Sequence, residues 1–304
     1  MEIWRSVAGA ETVARTEPAV VVIGKFDGVH RGHQFVISQA RAVSDGLEVV
    51  AVTFDPHPLA VTAPDKLQPQ LSDLELRVDL LKTAGADQVY VLAFSPEMAA
   101  LSPGEFVQMI LIEQLLTAHV VVGEAFRFGA RAAGDVEFLR TFDFDVTGLS
   151  LAGGAKPWSS TNVRAALAAG DVAQANEILG REFCVKGTVR PGDARGRDLG
   201  YPTANLVIGS KFAVPADGVY AGWADWDGRL HPAAISVGTN PTFGGTERRI
   251  EAYVLEETPD LYGKTLKVSF CAHLRGQITF NDSVDLIAQM DLDVTATKRA
   301  LGLG

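Results

Sequence analysis

The sequence predicts an α/β domain with a parallel sheet and helices on both faces, followed by a small antiparallel β-barrel domain with a C-terminal helix. Short β-branched apolar runs alternate with helical patterns over the first ~180 residues, and shorter runs punctuated by glycine and proline follow from Phe183. With 304 residues, 47% of them hydrophobic, the chain is long enough for two domains with separate cores. We therefore expect domains at residues 1–182 and 183–304.

In the first half, strand-like runs and helical patterns follow one another in turn. The runs AVVVIG, EVVAVTF, QVYVLAF and HVVVG predict strands, and QFVISQARAV, LSDLELRVDLLKTAG and SPGEFVQMILIEQLL predict the helices between them. Ser102 and Glu105 have the spacing of a capping box at a helix start, and so do Ser72 and Glu75. Repeated units of strand and helix predict a parallel sheet.

In the second half, the apolar runs are short and lie between turn signals. The runs FCVKGTV, GVYAGWADW, HPAAISVG, RIEAYVLE and LKVSFCAHL predict strands of an antiparallel sheet or barrel. From Ser283 onward, Leu286, Ile287, Met290 and Val294 recur at helical spacing on one face. The second domain should therefore end in one amphipathic helix.

Composition excludes several classes of protein. The formal net charge of −10 argues against a surface that coats nucleic acid nonspecifically. The apolar runs are far shorter than the ~20 residues that span a bilayer, and Glu2 and Arg5 interrupt the segment where a signal peptide would have its apolar core. Cys184 and Cys271 lack CxxC spacing, which is typical of a reducing compartment. We expect a cytoplasmic protein without nucleic-acid or membrane partners.

The stretch GKFDGVHRGH, residues 24–33, is the first candidate site, because parallel sheets bind ligands beyond the carboxyl ends of their strands. His30 and His33 share one face of a helix's first turn, over free amides suited to a polyphosphate, and Gly32 leaves room for it. The chain contains neither GxxxxGK[ST] nor GxGxxG. Alone, an HxxH at a helix start is more often a solvated pair, and zinc would need a third ligand.

Three further segments of the first half have residues suited to nucleotide chemistry. TFDPHP follows the second strand and forms a rigid loop around His57. VGEAFRFG follows a later strand and carries Arg127 between two aromatic residues, suitable for stacking on a flat ring. SSTNVR opens a helix with three hydroxyls and an arginine one turn inside, which is again a pattern suited to phosphate.

In this order, GxFDGVHxGH, TFxPHP, VGxxFxFG and SSTxxR resemble the adenylyltransferase half of bacterial bifunctional riboflavin kinase/FAD synthetases. These belong to the nucleotidyltransferase superfamily, which shares the HxGH signature. The resemblance implies a Rossmann-like nucleotidyltransferase domain in which the phosphate of FMN attacks the α-phosphorus of ATP and pyrophosphate leaves. Positioning and electrostatics suffice for this transfer without a covalent enzyme intermediate.

The resemblance also implies roles for individual residues. His30 and His33 would stabilise charge on the phosphates, while Ser160, Thr161 and Arg164 would clamp the pyrophosphate. The remaining implied contacts to ATP are Gly24, Phe26, Asp27, Gly32, Arg127 and Ser159, and those to the flavin are His57 and Phe128. Ala125 departs from the family, which has Asp or Asn at this position, and we expect the lost polar group to weaken adenylyl transfer.

The most informative stretch of the second half is KGTVRPGDARGRDLGYPTANL, residues 186–206. Its glycines and arginines alone fit a basic surface hairpin as well as they fit a phosphate-binding loop. At its end, Thr203 and Asn205 alternate on an extended segment and so point to the same side. A hydroxyl and an amide oxygen placed in this way suit a hard cation such as Mg²⁺.

This stretch resembles the riboflavin kinase family, whose GxVxxGxxxGRxLGxPTAN loop binds ATP and whose later GVYA, GxxPTF and LYGKxLxVxF segments recur here. The resemblance implies that Glu251 in RRIEAYVLE is the general base, accepting a proton from the terminal ribityl hydroxyl of riboflavin. The implied ATP contacts are Gly187, Arg190, Gly192, Arg197 and Gly200, and the implied flavin contacts are Asn240, Thr242 and Phe243.

Together these features predict two-step FAD synthesis, with FMN made from riboflavin in the barrel and FAD made from FMN in the α/β domain. ATP and Mg²⁺ would serve both steps. One alternative is an active riboflavin kinase whose adenylyltransferase half is impaired or only a scaffold, motivated by Ala125. Another is a flavin-binding regulatory module without turnover, although such a module would need no general base. Whether the chain forms a homo-oligomer stays open.

Overall fold

The computed structural model describes residues 3–150, 158–191, 200–239, 248–255, 260–280 and 282–303. The chain forms two compact units, the first made of Met1–Gln68 and Asp73–Ser159 and the second of Pro69–Ser72 and Ser160–Gly304. The SSTNVR segment thus begins at the end of the first unit and continues in the second. The division of functional domains at residue 182 stays a prediction.

The first unit is built on a five-stranded sheet in which all strand pairs are parallel, in the order β3-β2-β1-β4-β5. The strands are β1 Ala19–Ile23, β2 Glu48–Asp55, β3 Gln88–Ala93, β4 Thr117–Gly123 and β5 Asp145–Leu149. The helices are α1 Arg31–Ala42, α2 Pro58–Thr62, α3 Leu74–Thr83, α4 Pro96–Ala100, α5 Pro103–Phe106 and α6 Val136–Leu139. This confirms the predicted parallel sheet and adds β5, which no apolar run had indicated.

Helices cover both faces of this sheet, as predicted. Every residue of β1 is buried, and successive side chains point to opposite faces. Val21 belongs to the apolar cluster that includes Ile110, in the π-helical turn that continues α5. Val22 belongs to the cluster that includes Ile37 of α1. A central strand with two buried faces explains why its sequence is continuously apolar.

The capping box predicted at Ser102 is present. Ser102 and Glu105 cap α5 reciprocally, each accepting from the other's backbone amide. At α3 the N-cap residue is Asp73 and not the predicted Ser72, and the Asp73 carboxylate accepts from the Leu76 amide at 2.7 Å. A carboxylate satisfies the amide and also interacts favourably with the positive end of the helix dipole.

The second unit contains a closed barrel in the order β10-β7-β6-β11-β8-β9, with antiparallel pairing throughout. The strands are β6 Phe183–Arg190, β7 Thr203–Val207, β8 Gly218–Trp226, β9 Arg229–Thr239, β10 Arg248–Val254 and β11 Thr265–Arg275. The helices are α7 Ser160–Ala168, α8 Val172–Leu179 and α9 Ser283–Ala300. The predicted barrel and C-terminal helix are confirmed, and closure pairs the strand edges that an open sheet would expose.

An ion pair fastens the C-terminal helix α9 to strand β11. Arg275 donates from Nε to Asp293 Oδ1 at 2.8 Å and from Nη2 to Oδ2 at 2.6 Å. Gln289, one turn earlier on the helix, donates to the same carboxylate at 2.9 Å. The apolar face predicted for this helix is half-buried. Over the described residues, no helix is long and apolar enough to cross a membrane.

Candidate active sites

The loop after β1 reaches α1 through a run of left-handed backbone conformations. Phe26, Gly28 and Val29 have φ values of 49°, 79° and 39°. Such values are ordinary for glycine, whereas they cost other residues on the order of 1 kcal/mol or more and persist where the surrounding structure enforces them. The ring of Phe26 is buried in the core, which anchors this turn. His30 follows this turn directly and is the N-cap residue of α1.

The two histidines of the HxGH signature lie against each other at the start of α1. Their ring centroids are 3.6 Å apart in a stacked arrangement, and the edge of the Phe26 ring meets His33 at 5.1 Å. Burial lowers the pKa of His33 well below its usual value, and the charges of His30, Lys25 and Arg77 lower it further. His33 is therefore neutral near pH 7, and a neutral imidazole has one nitrogen that donates and one that accepts.

The glycines of this loop permit close packing around the histidine pair. A Cβ atom on Gly32 would lie 3.1 Å from the His30 ring and 3.2 Å from the carbonyl oxygen of Trp158. One on Gly24 would lie 3.1 Å from the Phe26 ring. The buried Nδ1 of His33 has no hydrogen-bond partner within the described part of the chain. Unpaired buried polar atoms are rare in proteins, and their occurrence often marks a functional position.

The TFDPHP loop holds His57 in one tautomer. His57 precedes α2 as its cap, and its Nδ1 accepts a hydrogen bond from the Leu59 amide at 3.1 Å. Because Nδ1 is the acceptor, the ring proton of a neutral His57 lies on Nε2. The residue is almost fully buried. The loop therefore presents a fixed N–H donor at the carboxyl end of β2.

The aromatic residues of the VGEAFRFG loop, which follows β4, pack against each other. Phe126 and Phe128 stack on each other at 5.6 Å, and Phe128 is buried in the core, so its flavin contact stays a prediction. Arg127 is exposed and pairs with Asp135 at 3.2 Å, and its predicted stacking on the flat ring of a ligand stays a prediction. An exposed pair of this kind contributes little stability, so a ligand could displace it at small cost. Ala125 is exposed in the turn after β4.

One residue beneath these loops was missed by the sequence analysis. Arg77 of α3 is 2% exposed and donates to the Phe54 carbonyl at 3.0 Å. Burial lowers its pKa, although an arginine still remains charged near pH 7. In the sequence, Arg77 is simply an arginine within an amphipathic helix. Such arginines usually keep their charged group in solvent, so the pattern did not indicate a buried cation.

The SSTNVR segment forms the start of α7, as predicted, with its hydroxyls in the first turn. Thr161 is exposed, and Ser159 and Ser160 are half-buried. The Nε of Arg164 donates to the carbonyl oxygen of Pro69 at 2.6 Å, a contact within the second unit. The histidine pair belongs to the first unit, so a joint phosphate site of both groups stays a prediction.

The predicted base and metal ligands of the second half meet on one outer face of the barrel. Glu251 of β10 lies directly opposite Asn205 of β7, and Asn205 lies opposite Arg190 of β6. Thr203 is two residues along the same face as Asn205. On β10, buried and half-buried residues alternate, with Glu251 in the half-buried set, so this row faces outward. Directly opposed residues have Cβ atoms ~5 Å apart, which is a suitable spacing for one site.

The Asn205 side chain is hydrogen-bonded to its own strand. Its Nδ2 donates to the carbonyl oxygen of Thr203 at 3.4 Å, a weak contact that uses the amide nitrogen and not the oxygen that a cation would bind.

Gly187, a predicted ATP contact, has a packing role, since a Cβ there would lie 2.7 Å from Ile208 Cδ1. Gly200 forms a left-handed turn before β7, with φ of 87°. The predicted contacts at Gly192, Arg197, Asn240, Thr242 and Phe243 lie outside the described residues.

A second residue missed from the sequence links this face to the C-terminal helix. The hydroxyl of Tyr201 donates to Asp291 of α9, and the Tyr201 ring contacts that of Tyr253 with centroids 5.1 Å apart. The hydrogen bond to Asp291 raises the pKa of Tyr201 to about 12. Tyr253 lies opposite Thr203 in the barrel. Tyr201 therefore connects the start of β7 to α9.

Comparison with known proteins covers both halves of the chain. Family models for FAD synthetase and for riboflavin kinase match residues 12–153 and 179–301. The bifunctional riboflavin kinase/FMN adenylyltransferase of Listeria monocytogenes is 36% identical over 287 residues, which are 92% of this chain and 91% of the relative. The chain belongs to the bifunctional riboflavin kinase/FMN adenylyltransferase family. The resemblance noted in the sequence is thereby confirmed.

Other members of the bifunctional riboflavin kinase/FMN adenylyltransferase family match over similar lengths. The protein of Bacillus subtilis is 34% identical and that of Escherichia coli K12 is 34% identical, with 90% and 95% of each chain covered. A crystal structure described as a macrolide-efflux protein from Streptococcus pneumoniae superimposes with a TM-score of 0.86 at 32% identity, covering 94% of this chain and 95% of that one. The two domains of the family thus occur here in the same order.

Neither family model includes the SSTNVR segment, which lies between the two matched ranges. The FAD synthetase match ends at residue 153 and the riboflavin kinase match begins at residue 179. Ser160, Thr161 and Arg164 lie between them. Their roles, like those of the other site residues, rest on the motifs and the geometry.

Proposed function

We propose that this chain makes FAD in two steps, converting riboflavin and ATP to FMN in the barrel and FMN and a second ATP to FAD in the α/β unit. The observation that carries the proposal is the cross-strand pairing of Glu251 with Asn205, with Thr203 on the same face. A general base and two neutral oxygen donors, widely separated in the sequence, come together as a phosphoryl-transfer site requires. The names of the relatives and both matching family models support the same pair of reactions.

In the kinase step, Glu251 accepts the proton of the terminal ribityl hydroxyl as that oxygen attacks the γ-phosphorus of ATP. The bond between the γ-phosphorus and the bridging oxygen breaks, and ADP leaves. Thr203 and Asn205 fit Mg²⁺, because a hydroxyl and an amide oxygen are hard donors and this ion takes few protein ligands when phosphates supply others. When bound, Mg²⁺ neutralises charge on the phosphates. Arg190, in the same row, supplies a further positive charge.

In the adenylyl transfer step, a phosphate oxygen of FMN attacks the α-phosphorus of ATP and pyrophosphate leaves. The neutral ring of His33 and the amides at the start of α1 donate hydrogen bonds to phosphate oxygens. The fixed Nε2–H of His57 offers a further donor. Ser160, Thr161 and Arg164 hold the leaving pyrophosphate, and positive charge at this position stabilises the transition state.

A second candidate function is an active riboflavin kinase with an impaired adenylyltransferase half. The observation that favours it is Ala125, which is exposed in the turn after β4 and has no polar side chain. Loss of one hydrogen bond to a charged ligand reduces a rate by on the order of ten- to a hundredfold. This candidate predicts FMN formation at a normal rate and FAD formation that is slow even with saturating FMN.

Two assays on one preparation test both steps. Purified protein with ATP and Mg²⁺ is given riboflavin in the first assay and FMN in the second, and the products are separated by chromatography. Glu251→Gln should reduce FMN formation by about 10² to 10⁴-fold, the contribution of a general base, and leave FAD formation from FMN unchanged. His33→Ala should show the opposite pattern.

The control variant is Glu177→Gln, which makes the same chemical change at an exposed position of α8 in the second unit. It should leave both rates unchanged. Loss of both activities in Glu251→Gln, with the fold intact by circular dichroism, would contradict the assignment of two separate sites. Normal FMN formation by Glu251→Gln would remove the base assignment.

We further propose a cytoplasmic location without nucleic-acid partners. The net charge of −10 supports the second point, because nucleic acids attract cationic surfaces. Cys184 and Cys271 are both free thiols, which fits a reducing compartment.

A further inference from the structure

A buried cation lies at the base of two loops of the first unit. Arg77 projects from α3 and is 2% exposed, and its Nη1 donates to the carbonyl oxygen of Phe54 at 3.0 Å. Phe54 is the penultimate residue of β2, and the loop that carries His57 follows this strand. The Arg77 guanidinium is therefore hydrogen-bonded to the end of β2, just before the His57 loop.

A hydrogen-bonded chain extends from Arg77 to the histidine loop. Arg77 Nη1 also approaches the hydroxyl of Thr53 at 3.4 Å, and this hydroxyl donates to the carbonyl oxygen of Lys25 at 3.0 Å. Thr53 is fully buried. Lys25 lies in the loop after β1, five residues before His30. One arginine is thus connected to the backbones of both loops.

Charge around Arg77 explains how a cation is tolerated at this depth. Burial lowers its pKa, and three carboxylates, those of Asp27, Asp55 and Asp73, oppose that effect. Asp27 is itself 3% exposed and lies in the histidine loop. Asp73 caps the helix that carries Arg77. Removal of the cation would leave the buried carboxylate of Asp27 with less compensation, which is costly in a poorly solvated position.

The same cation acts on the histidine pair. The charged groups that lower the pKa of His33 are His30, Lys25 and Arg77, in addition to burial, which is the largest cause. A neutral His33 donates a hydrogen bond without requiring a counter-charge. Arg77 thus influences both the position of the loops and the protonation of a ring that would meet phosphate.

We propose that Arg77 is a positioning residue for adenylyl transfer. Through Thr53 and Phe54 it fixes the His30–His33 loop and the His57 loop relative to each other. The inference rests on the proposed adenylyltransferase function of the first unit. Arg77 does not touch the substrates in this role. Its effect on the reaction passes through the two loops and through the electrostatic potential at His33.

The experiment measures FAD formation from supplied FMN, with riboflavin kinase activity recorded on the same preparations. Arg77→Met should lower kcat by at least about tenfold, since it removes hydrogen bonds from a charged group, with a smaller change in KM. Thr53→Val should lower kcat as well, because valine keeps the volume and loses the hydroxyl, whereas Thr53→Ser should retain it. Kinase activity should be unchanged in all of these variants.

The matched control is Arg41→Met, which removes another arginine of the first unit. Arg41 pairs with Asp87 at 2.5 Å at an exposed position, so the control should leave FAD formation unchanged. A second readout is the titration of His33 by NMR of the histidine rings, assigned with His33→Asn. In Arg77→Met the ring should take up its proton at a higher pH than in the wild type.

Each outcome bears on the proposal. If Arg77→Met is folded by circular dichroism, makes FAD within twofold of the wild-type rate and leaves the His33 titration unshifted, the positioning role is refuted. If Arg77→Met does not fold, equal FAD formation by Thr53→Val and Thr53→Ser refutes it instead. If the wild type makes no FAD, the proposed function of this unit fails, and the His33 titration alone decides whether Arg77 acts on the histidine pair.

Discussion

The ion pair between Arg275 and Asp293 should hold the C-terminal helix on the barrel, and Asp293→Asn tests this directly. The side chains are 19% and 11% exposed, and the carboxylate accepts two hydrogen bonds from the guanidinium. It accepts a third from Gln289. Asparagine has nearly the same volume as aspartate, so the substitution removes charge and one acceptor while it leaves the packing intact.

The expected loss follows from the burial of the pair. Exposed ion pairs contribute about 0.2–1 kcal/mol, whereas removing one partner of a buried pair costs about 3–5 kcal/mol. The partial exposure of Arg275 places this pair between the two ranges. We therefore expect Asp293→Asn to lower the free energy of unfolding by about 2–3 kcal/mol. For a unit of about 150 residues this corresponds to a fall in Tm of roughly 5–10 °C.

Calorimetry of the full chain measures the change, and the riboflavin kinase activity that survives heating identifies the second unit. The control is Asp285→Asn, an exposed aspartate near the start of the same helix. That substitution should cost no more than about 0.5 kcal/mol. An equal effect of the two variants would refute the reasoning.

A double variant separates the ion pair from other causes. Arg275→Met with Asp293→Leu removes both charges, and replacing a buried pair by apolar residues is often neutral. The double variant should therefore be more stable than Asp293→Asn. If it is equally unstable, the loss in the single variant does not come from an uncompensated arginine.

Three further results are expected. The pKa of His33 is lowered in the folded protein, so the unfolded chain binds this proton more readily. The free energy of unfolding should therefore fall below pH 6.5, by up to about 1.4 kcal/mol per pH unit. Urea unfolding of the wild type and of His33→Phe as a function of pH measures the difference. Tyr201→Phe loses its hydrogen bond to α9 and should raise the KM of the kinase step severalfold without changing FAD formation. A Cβ on Gly222 would lie 1.8 Å from the Ser269 carbonyl oxygen, so Gly222→Ala should yield little folded protein, whereas Gly276→Ala, whose Cβ meets no atom within 4 Å, should fold normally.

Local hydrophobic patterns predicted most of the helices and strands, because burial of one or both faces gives each kind of element its own spacing of apolar residues. The continuous apolar run of β1 matches a strand with two buried faces, and the helical spacing from Ser283 matches α9. Strand β5 was missed because its sequence DVTGL is polar and small, and none of its residues is fully buried. An edge strand needs less apolar surface than a central strand, so it leaves a weaker pattern in the sequence.

The candidate sites were predictable to different degrees. The spacing of His30 and His33 placed both rings on one helical turn, but only the structure shows them stacked with the His33 pKa lowered. Arg77 could not be identified in advance, since its partners Thr53 and Phe54 lie on a distant strand. Contacts between elements depend on how those elements pack, which the local pattern around one arginine does not contain.

The sequence by itself determined the residue types of both sites, the order of the two domains and the alternation that puts Thr203 and Asn205 on one side of a strand. Only the tertiary structure decided that Glu251 lies across from Asn205, because this depends on the register between β10 and β7. A shift of one residue in that register would turn Glu251 to the opposite face. Register is set by closure of the whole barrel and by its buried interior, which are properties of all six strands together.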